Sequence, residues 1–381
     1  MELFDESPPR TEELPDDELA DILLLSLVSG IGPRLRQALL QRFGSARAVF
    51  EAPASLLRTV PGIGAKLAGA VSRARQEIDV AAEIELCEKH QVAIVSLGHS
   101  DYPRALREIA DPPGVLFVRG AIEARDALAI AIVGARHATR YGLAQAERLA
   151  ASLSRAGLTI VSGLARGIDG AAHRGALTAG GRTIAVLGSG VLNIYPPEHQ
   201  ELALQVMKQG AVVSEAPVRA APLSGTFPQR NRLISGMTLG VIVIEAARQS
   251  GALITARHAA EQGREVFAVP GRVDSRMSHG CHQLLRDGAK LVETPEDVLE
   301  ELGPLVAAAP REDGRPLHHP AELLLNDVEQ GILGAIRDDA TSIDQVVATS
   351  GLPTQQVLAT LSVLEMRRLI RRISGSLVAR V

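Results

Sequence analysis

The chain has 381 residues, of which 46% are hydrophobic and 22% are charged, a length and composition that fit two or three globular domains. Its two cysteines, Cys87 and Cys281, cannot build a disulfide framework, and no apolar run is long enough to span a membrane. The acidic start resembles neither a signal peptide nor a transit peptide, so we expect a cytoplasmic protein without membrane contact.

The formal net charge of −4 conceals an acidic start and a basic middle. Residues 1–21 carry nine acids and one arginine, and we assign 1–18 as an acidic N-terminal segment. Residues 134–272 carry fifteen Lys or Arg and eight Asp or Glu, a net charge of +7. Such an excess favours phosphate-bearing partners, although a GC-rich genome explains most of the preference for 36 Arg over 4 Lys.

Residues 19–80 are predicted to form a helical domain with two similar turns. The stretches "VSGIGPRLRQALLQRFG" and "VPGIGAKLAGAVSRA" each place Gly-Ile-Gly before an amphipathic helix. This pattern resembles the helix-hairpin-helix motif, in which glycines let the backbone approach a phosphate at the positive end of a helix. The domain is therefore either a contact to the DNA backbone or a compact helical pair without a ligand.

Residues 90–301 alternate apolar strands, such as "AIAIVGAR" and "GVIVIEA", with segments of helical period. This alternation predicts an α/β fold with a Rossmann-like parallel sheet that is covered on both faces. Ligands of such sheets bind beyond the carboxyl ends of the strands, where this chain has small residues and arginines. The candidate binding residues at these ends are Gly134, Arg136, Ser162, Gly163, Arg166, Ser189 and Gly190.

The motifs of common nucleotide-binding enzymes are incomplete in this domain. "GSGVLN" has Asn193 where a dinucleotide fingerprint needs its third glycine, and the strand in "LTIVSGLARG" does not end in a ribose-binding acid. Neither a P-loop nor a nucleophile elbow is present. Asp169 and His173 are either an acid–base pair or a helix cap with a histidine packed nearby. The "HGCH" stretch at 279–282 is too crowded for a zinc site, so we expect no metal or cofactor.

A set of longer stretches follows one order along the chain: "YPRALREIADPPGVLFVRG", "GARHATRYG", "SGLARGIDGAAHRGAL", "TIAVLGSGVLNIYPPEH", "SEAP", "FPQRNRLISG", "EAARQSGALITARHA" and "VFAVPGRV". Over about residues 90–300 they resemble the DNA-processing protein A family (DprA, also called Smf). The resemblance implies a protein that binds single-stranded DNA, protects incoming DNA in natural transformation and loads the RecA recombinase. It also implies a homodimer formed through the Rossmann-like domain, and no catalytic turnover.

The stretch at 227–236 places an aromatic residue beside a cationic triplet. In the architecture that the resemblance implies, it is expected as a loop beside the carboxyl edge of the sheet, next to Arg136 and Arg166. Guanidinium groups there would bind phosphates while Phe227 stacks on a base, the combination that single strands need. The alternative for the two arginines of the triplet is an internal brace to Glu215 or Glu245. The candidate residues of this stretch are Phe227, Arg230, Asn231 and Arg232.

A second class of function is a nucleotide-processing enzyme, because phosphoribohydrolases similar to the LOG family share the Rossmann-like architecture. Those enzymes carry a Pro-Gly-Gly-x-Gly-Thr-x-x-Glu loop, whereas this chain reads "EAARQSGALITARHA" at the matching place. The double glycine and the spacing to the catalytic Glu are absent. The sequence therefore favours binding over hydrolysis.

The C-terminal part is predicted to form a separate small domain. Residues 302–320 are rich in Pro, Ala and Gly and are assigned as a linker. Residues 321–381 show three helical patterns and a closing hairpin, which predict a winged-helix-like domain. Its third helix is expected to present Gln355, Gln356 and Thr360 outward, with Arg367 and Arg368 at its end. Because few charges face outward, we favour a protein-interaction or duplex-sensing role for it.

Overall fold

The computed structural model describes residues 16–303, 309–310, 316–317, 325–337, 340–366, 369–374 and 376–380. Most of the acidic segment and most of the linker therefore lie outside the described residues. None of the described helices is both long enough and apolar enough to cross a membrane.

The first unit is a helical domain with a hydrophobic core of its own. Ile31 and Ile63, the central residues of the two Gly-Ile-Gly turns, are both buried in this core. Each turn leads into a helix as predicted, and Arg36 from the first of these helices crosses to the next domain, where its guanidinium donates to the Pro112 carbonyl. The helices are α1 (Asp16–Leu27), α2 (Pro33–Phe43), α3 (Ala46–Glu51), α4 (Ala54–Leu57), α5 (Ala65–Glu77) and α6 (Val80–Lys89).

The second unit is built on a nine-stranded sheet. Its strands are β1 (Ala93–Ser96), β2 (Val115–Gly120), β3 (Ala129–Gly134), β4 (Thr159–Ser162), β5 (Thr183–Val186), β6 (Gly210–Ser214), β7 (Gly240–Ile244), β8 (Glu265–Ala268) and β9 (Lys290–Leu291). Its helices are α7 (Arg104–Arg107), α8 (Arg140–Arg155), α9 (Ile168–Thr178), α10 (Gln200–Gln209), α11 (Thr226–Gly236), α12 (Gly251–Glu261), α13 (His279–Arg286) and α14 (Pro295–Leu302).

The strand order is β1-β2-β6-β5-β4-β3-β7-β8-β9. Strands β3 to β9 pair parallel with one another, whereas β2 pairs antiparallel with both β1 and β6. The chain winds outward from β3 to β6, then returns to place β7 on the other side of β3. Adjacent crossovers therefore diverge at the carboxyl ends of β3 and β7, the point where open α/β sheets bind their ligands. The predicted α/β fold with a Rossmann-like sheet is confirmed.

The central strands β3 to β7 are buried along nearly their whole length because both faces of the sheet are covered. Helices α11, α12 and α13 pack their apolar residues on one face, and α8, α9 and α14 pack on the other. A third cluster joins α10 to the sheet and also contains Leu23 and Cys87 from α1 and α6. The helical domain is thus anchored to the sheet domain through buried apolar contacts.

The C-terminal unit has the predicted winged-helix form, with a separate core that contains Ile332, Val346 and Leu361. Gln355 and Gln356 are exposed as expected, but Thr360 is buried at 9% exposure, so the prediction that Thr360 faces outward is wrong. Arg367 and Arg368 lie outside the described residues. In the linker, β10 (Ala309–Pro310) and β11 (Pro316–Leu317) form a separate two-stranded sheet. The elements of the C-terminal unit are α15 (Asp327–Gly334), β12 (Thr341–Ser342), α16 (Ile343–Ser350), α17 (Thr354–Met366), β13 (Ile370–Ser374) and β14 (Leu377–Arg380).

Candidate nucleic-acid interface

A cleft of about 650 Å³ opens at the point where the crossovers diverge, and we refer to it as the switch-point cleft. The carboxyl end of β3 forms its floor, and the N-terminal turns of α11 and α12 form its walls. The residues that line it include Gly134, Arg136, Ala165, Asp169, Tyr195, Phe227, Arg230, Asn231, Ser250, Gly251 and Thr255.

Three side chains at this cleft combine positive charge with aromatic surface. The guanidinium carbon of Arg136 lies 5.4 Å from the centroid of the Phe227 ring, and that ring is tilted 46° to Tyr195 at a centroid distance of 5.7 Å. Arg136 is exposed and forms no ion pair among the described residues, and its charge acts on the buried Asp169 carboxylate only at longer range. The arrangement places an exposed cation beside two aromatic rings that are tilted to one another.

The stretch at 227–236 is the body of helix α11 and not a loop as the sequence predicted. In a helix, residues four apart lie on one face, and Phe227 and Asn231 both line the cleft for this reason. Asn231 also donates from its side-chain nitrogen to the Gly251 carbonyl at 3.2 Å, which ties α11 to α12. The segment does lie beside the carboxyl edge of the sheet as expected. Because it is a helix, some of its side chains face the cleft and others face the interior of the protein.

Arg230 lies on the cleft wall but its guanidinium is buried, with 4% of the residue exposed. Its Nη1 donates to the Gly163 carbonyl at 2.9 Å and also to the Val186 carbonyl. Burial lowers the pKa of Arg230 to about 10, while the Asp169 carboxylate opposes this shift. The expectation that Arg230 offers its charge to the groove is corrected: the charge serves two internal carbonyls.

Arg232 points away from the cleft, and its predicted place at the groove is wrong. Its guanidinium forms an ion pair with Glu215, donates to the Asp111 carbonyl at 2.7 Å and lies 3.7 Å from the Asp111 carboxylate. Its side chain is 7% exposed, so a phosphate could reach it only by displacing these partners. The internal brace to Glu215, which the sequence left as the alternative, is what the structure shows.

The remaining predicted residues lie at the strand ends but differ in what they present. Gly134 lines the cleft. Ser162 and Ser189 are buried, and their hydroxyls donate to the carbonyls of Ile132 and Asn193. Gly163, Arg166 and Gly190 do not line the cleft: Gly190 packs on the carbonyls of 217–218, and Arg166 is exposed but paired with Glu198. Ser162 and Ser189 therefore hold the backbone in place, which corrects the prediction that they are binding residues.

Asp169 and His173 do not act on one another. The Asp169 carboxylate accepts hydrogen bonds from the N–H groups of Gly163 and Ala165, at 3.2 and 3.3 Å. His173 is buried with its Nδ1 2.7 Å from the Thr183 hydroxyl, and burial lowers its pKa to about 3. The histidine is packed as the second alternative expected, but the helix-cap part is wrong, because α9 has Gly167 at its N-cap with no side-chain cap and Asp169 instead holds the turn before the helix. Within the part of the chain that the structure describes, no His, Cys, Asp and Glu residues form a cluster that could hold a metal ion.

The helix N-terminus that holds a pyrophosphate in dinucleotide-binding folds is already occupied by a side chain. Glu245 follows β7 with a left-handed φ of 52°, and its Oε2 accepts from the Thr139 N–H at 2.8 Å while Oε1 accepts from the Thr139 hydroxyl. Thr139 is the N-cap of α8, so a buried carboxylate takes the place of an incoming anion. This placement disfavours a bound dinucleotide.

The loops at the carboxyl edge carry further cationic side chains that were not predicted from the sequence. Arg140, Arg219, Arg248 and Arg276 are exposed and have no ion-pair partner among the described residues. Of the acids near this edge, Glu198 and Asp274 pair with arginines, and Asp169, Glu215 and Glu245 hold internal contacts. The edge is therefore net positive. Tyr195 was also missed, and its nearness to Phe227 in space left no sign in the spacing of the sequence.

Comparison with known proteins decides the family. The sequence model described as DNA recombination-mediator protein A matches residues 93–303, more than half of the chain. The chain belongs to this family. The flanking units match as well: residues 21–77 fit a SAM-like helix-hairpin-helix tandem, and residues 316–376 fit the DprA winged helix domain. The resemblance noted in the sequence and the two flanking domains are confirmed.

Members of the family from several bacteria are similar over long stretches. Protein Smf of Synechocystis is 34% identical over 95% of this chain and 98% of its own length. Protein Smf of Escherichia coli is 41% identical over 73% of this chain and 74% of its own.

Two solved structures of DprA proteins also align with this chain. The structure of DprA from Streptococcus pneumoniae covers 74% of this chain and 97% of its own, with 35% identity and a TM-score of 0.65. The structure of DprA from Helicobacter pylori, described for its single-stranded DNA binding mode, covers 56% and 95%, with 29% identity and a TM-score of 0.51. Both support the same sheet domain.

Proposed function

We propose that this protein binds single-stranded DNA along the carboxyl edge of its sheet, with Arg136, Phe227 and Asn231 as contacts at the switch-point cleft. The observation that carries the proposal is the exposed guanidinium of Arg136 beside the Phe227 ring. Membership of the DNA recombination-mediator protein A family and the single-strand binding described for the Helicobacter pylori relative support it.

The geometry suits a single strand for two physical reasons. Unpaired arginines around the edge, such as Arg140 and Arg248, can follow a phosphate backbone, and their neutralisation of it releases counterions. The Phe227 and Tyr195 rings provide a surface on which an unpaired base can stack. A duplex keeps its bases stacked on each other, so it cannot use these rings without being opened.

Three finer proposals follow from the family. The bound strand is protected by the protein during natural transformation and recombination, and RecA is loaded onto it. The protein acts in the cytoplasm as a homodimer formed through the sheet domain. It acts by binding and does not turn over a substrate, which is consistent with the missing hydrolase loop and with the carboxylate of Glu245 at the helix N-terminus.

A comparison of affinities under varied salt tests the binding proposal. We expect tight, sequence-tolerant binding to a labelled oligothymidylate, with an affinity that falls steeply as salt rises. A hairpin duplex with the same number of nucleotides is the matched competitor. Binding to the duplex that equals or exceeds binding to the single strand would overturn the proposal.

A further inference from the structure

Arg230 and Asp169 are buried, oppositely charged side chains in the cleft wall that meet at Gly163, and we infer that these two side chains, called the pair below, position Arg136 for DNA through the turn at residues 163–167. The inference rests on the proposed function, because the contact that it serves is the phosphate contact of Arg136. It assigns Arg230 a different role from the phosphate ligand that the sequence suggested.

The first contacts hold the start of the turn from both sides. Arg230 donates to the Gly163 carbonyl, and Asp169 accepts from the Gly163 N–H, so both backbone polar groups of one residue are fixed by the pair. A Cβ on Gly163 would lie 2.7 Å from Arg230 Nη2 and 2.7 Å from Asp169 Oδ2. Only glycine fits between the two charged groups.

The middle of the turn is strained and depends on this support. Leu164 has a left-handed φ of 55°, a conformation that is costly for a residue with a branched side chain, and it is fully buried. Asp169 also accepts from the Ala165 N–H, on the far side of Leu164. The residues on either side of Leu164 thus both donate to one carboxylate, and these two hydrogen bonds hold Leu164 in its strained conformation.

The end of the turn, at Gly167, packs closely against the backbone of Arg136. Gly167 has a φ of 75°, and a Cβ placed there would collide with the carbonyl oxygens of Ala135 and Arg136. The N–H of Ile168 donates to the Ala135 carbonyl at 3.2 Å. A shift at Gly163 is therefore transmitted to the peptide that carries Arg136.

The central experiment alters the pair without removing any charge. Gly163→Ala forces a methyl group between Arg230 and Asp169, so single-strand affinity should fall on the order of tenfold. Gly331→Ala in α15, where an added Cβ meets nothing within 4 Å, is the matched control and should bind like the parent. Circular dichroism and thermal unfolding confirm that each variant is folded.

A double-mutant cycle separates positioning from general damage. In an Arg136→Ala background, Gly163→Ala should have almost no further effect, because the contact that it disturbs is already gone. In an Arg248→Ala background it should keep its full effect. Equal effects in the two backgrounds would show a general structural role and overturn the inference. An unchanged affinity for folded Gly163→Ala, or for Arg136→Ala alone, would also overturn it.

Asp169→Asn provides a test that works even if Gly163→Ala does not fold. Removal of a negative charge from the cleft wall should tighten DNA binding if only long-range electrostatics matter. The positioning role predicts weaker binding, because the carboxylate that faces Arg230 is lost. Tighter binding would contradict the inference. If the parent protein itself binds no single-stranded DNA, the proposed function fails instead, so the two failures can be told apart.

Discussion

Replacement of Arg136 by alanine should weaken single-strand binding by removing one phosphate contact. The side chain is exposed, lacks an acidic partner among the described residues and lies 5.4 Å from the Phe227 ring, so its charge is available to DNA. One charge-assisted phosphate contact contributes about 1–3 kcal/mol, which corresponds to an affinity loss of roughly 5- to 150-fold. The slope of log affinity against log salt should become shallower by about 0.7, the value for one single-strand phosphate.

Replacement of Phe227 by alanine should give a different signature from that of Arg136. Loss of a stacked base costs about 1–3 kcal/mol, but no charge is removed, so the salt slope should stay that of the parent. Fluorescence anisotropy of a labelled oligothymidylate over a series of salt concentrations measures the affinity and the slope together. The contrast between the two variants is the observable that distinguishes a charge contact from a stacking contact.

The matched control for this pair lies in the helical domain. The guanidinium carbon of Arg42 sits 5.9 Å from the centroid of the Phe43 ring, so an arginine and a phenylalanine are paired there in a similar way. Arg42→Ala should leave affinity and slope close to those of the parent. If folded Arg136→Ala binds with the parent's affinity and slope, the cleft is not the DNA site and the reasoning from Arg136 and Phe227 is refuted.

Three further predictions concern stability and chemistry. Arg232→Ala should lower the free energy of unfolding in urea by about 3 kcal/mol, because Glu215 loses its ion-pair partner, and should leave the salt slope of DNA binding unchanged. His173 is buried with its pKa lowered to about 3, whereas a histidine in the unfolded chain titrates near 6.5. Its contribution to the free energy of unfolding is therefore fully present above pH 6.5 and is lost as the pH falls. Between roughly pH 7 and pH 5, the parent should lose about 2 kcal/mol more of its free energy of unfolding than His173→Gln. Incubation with nucleoside monophosphates should release no free base, as chromatography can check.

Much of the fold could be predicted because its signals are local. Core strands such as β3 and β4 are apolar runs that end in a small residue, and a helix of regular period follows each of these two. The two Gly-Ile-Gly turns and the closing hairpin likewise have short-range patterns. The outward prediction for Thr360 failed because burial depends on how the helices of the C-terminal unit pack, which no local pattern records.

The site was predicted less well because a sequence does not show which acidic residue, if any, pairs with a given arginine. Arg136 and Arg232 look alike in the chain, yet one is exposed and the other is 95% buried against Glu215 and Asp111. Those partners lie 17 and 121 residues away, so the pairing exists only in the folded sheet. The position of Tyr195 beside Phe227 is likewise a product of folding.

Helix α11 shows how one short segment divides its residues between two tasks. Phe227, Asn231 and Ile234 are spaced at i, i+4 and i+7 and line the cleft, whereas Arg232 faces the interior of the molecule. Arg230 stands between them and reaches beneath the cleft floor to the ends of β4 and β5. The cations of α11 therefore hold the helix and the neighbouring strands in place. In the function that we propose, the charge offered to DNA comes instead from Arg136, on the loop that these contacts support.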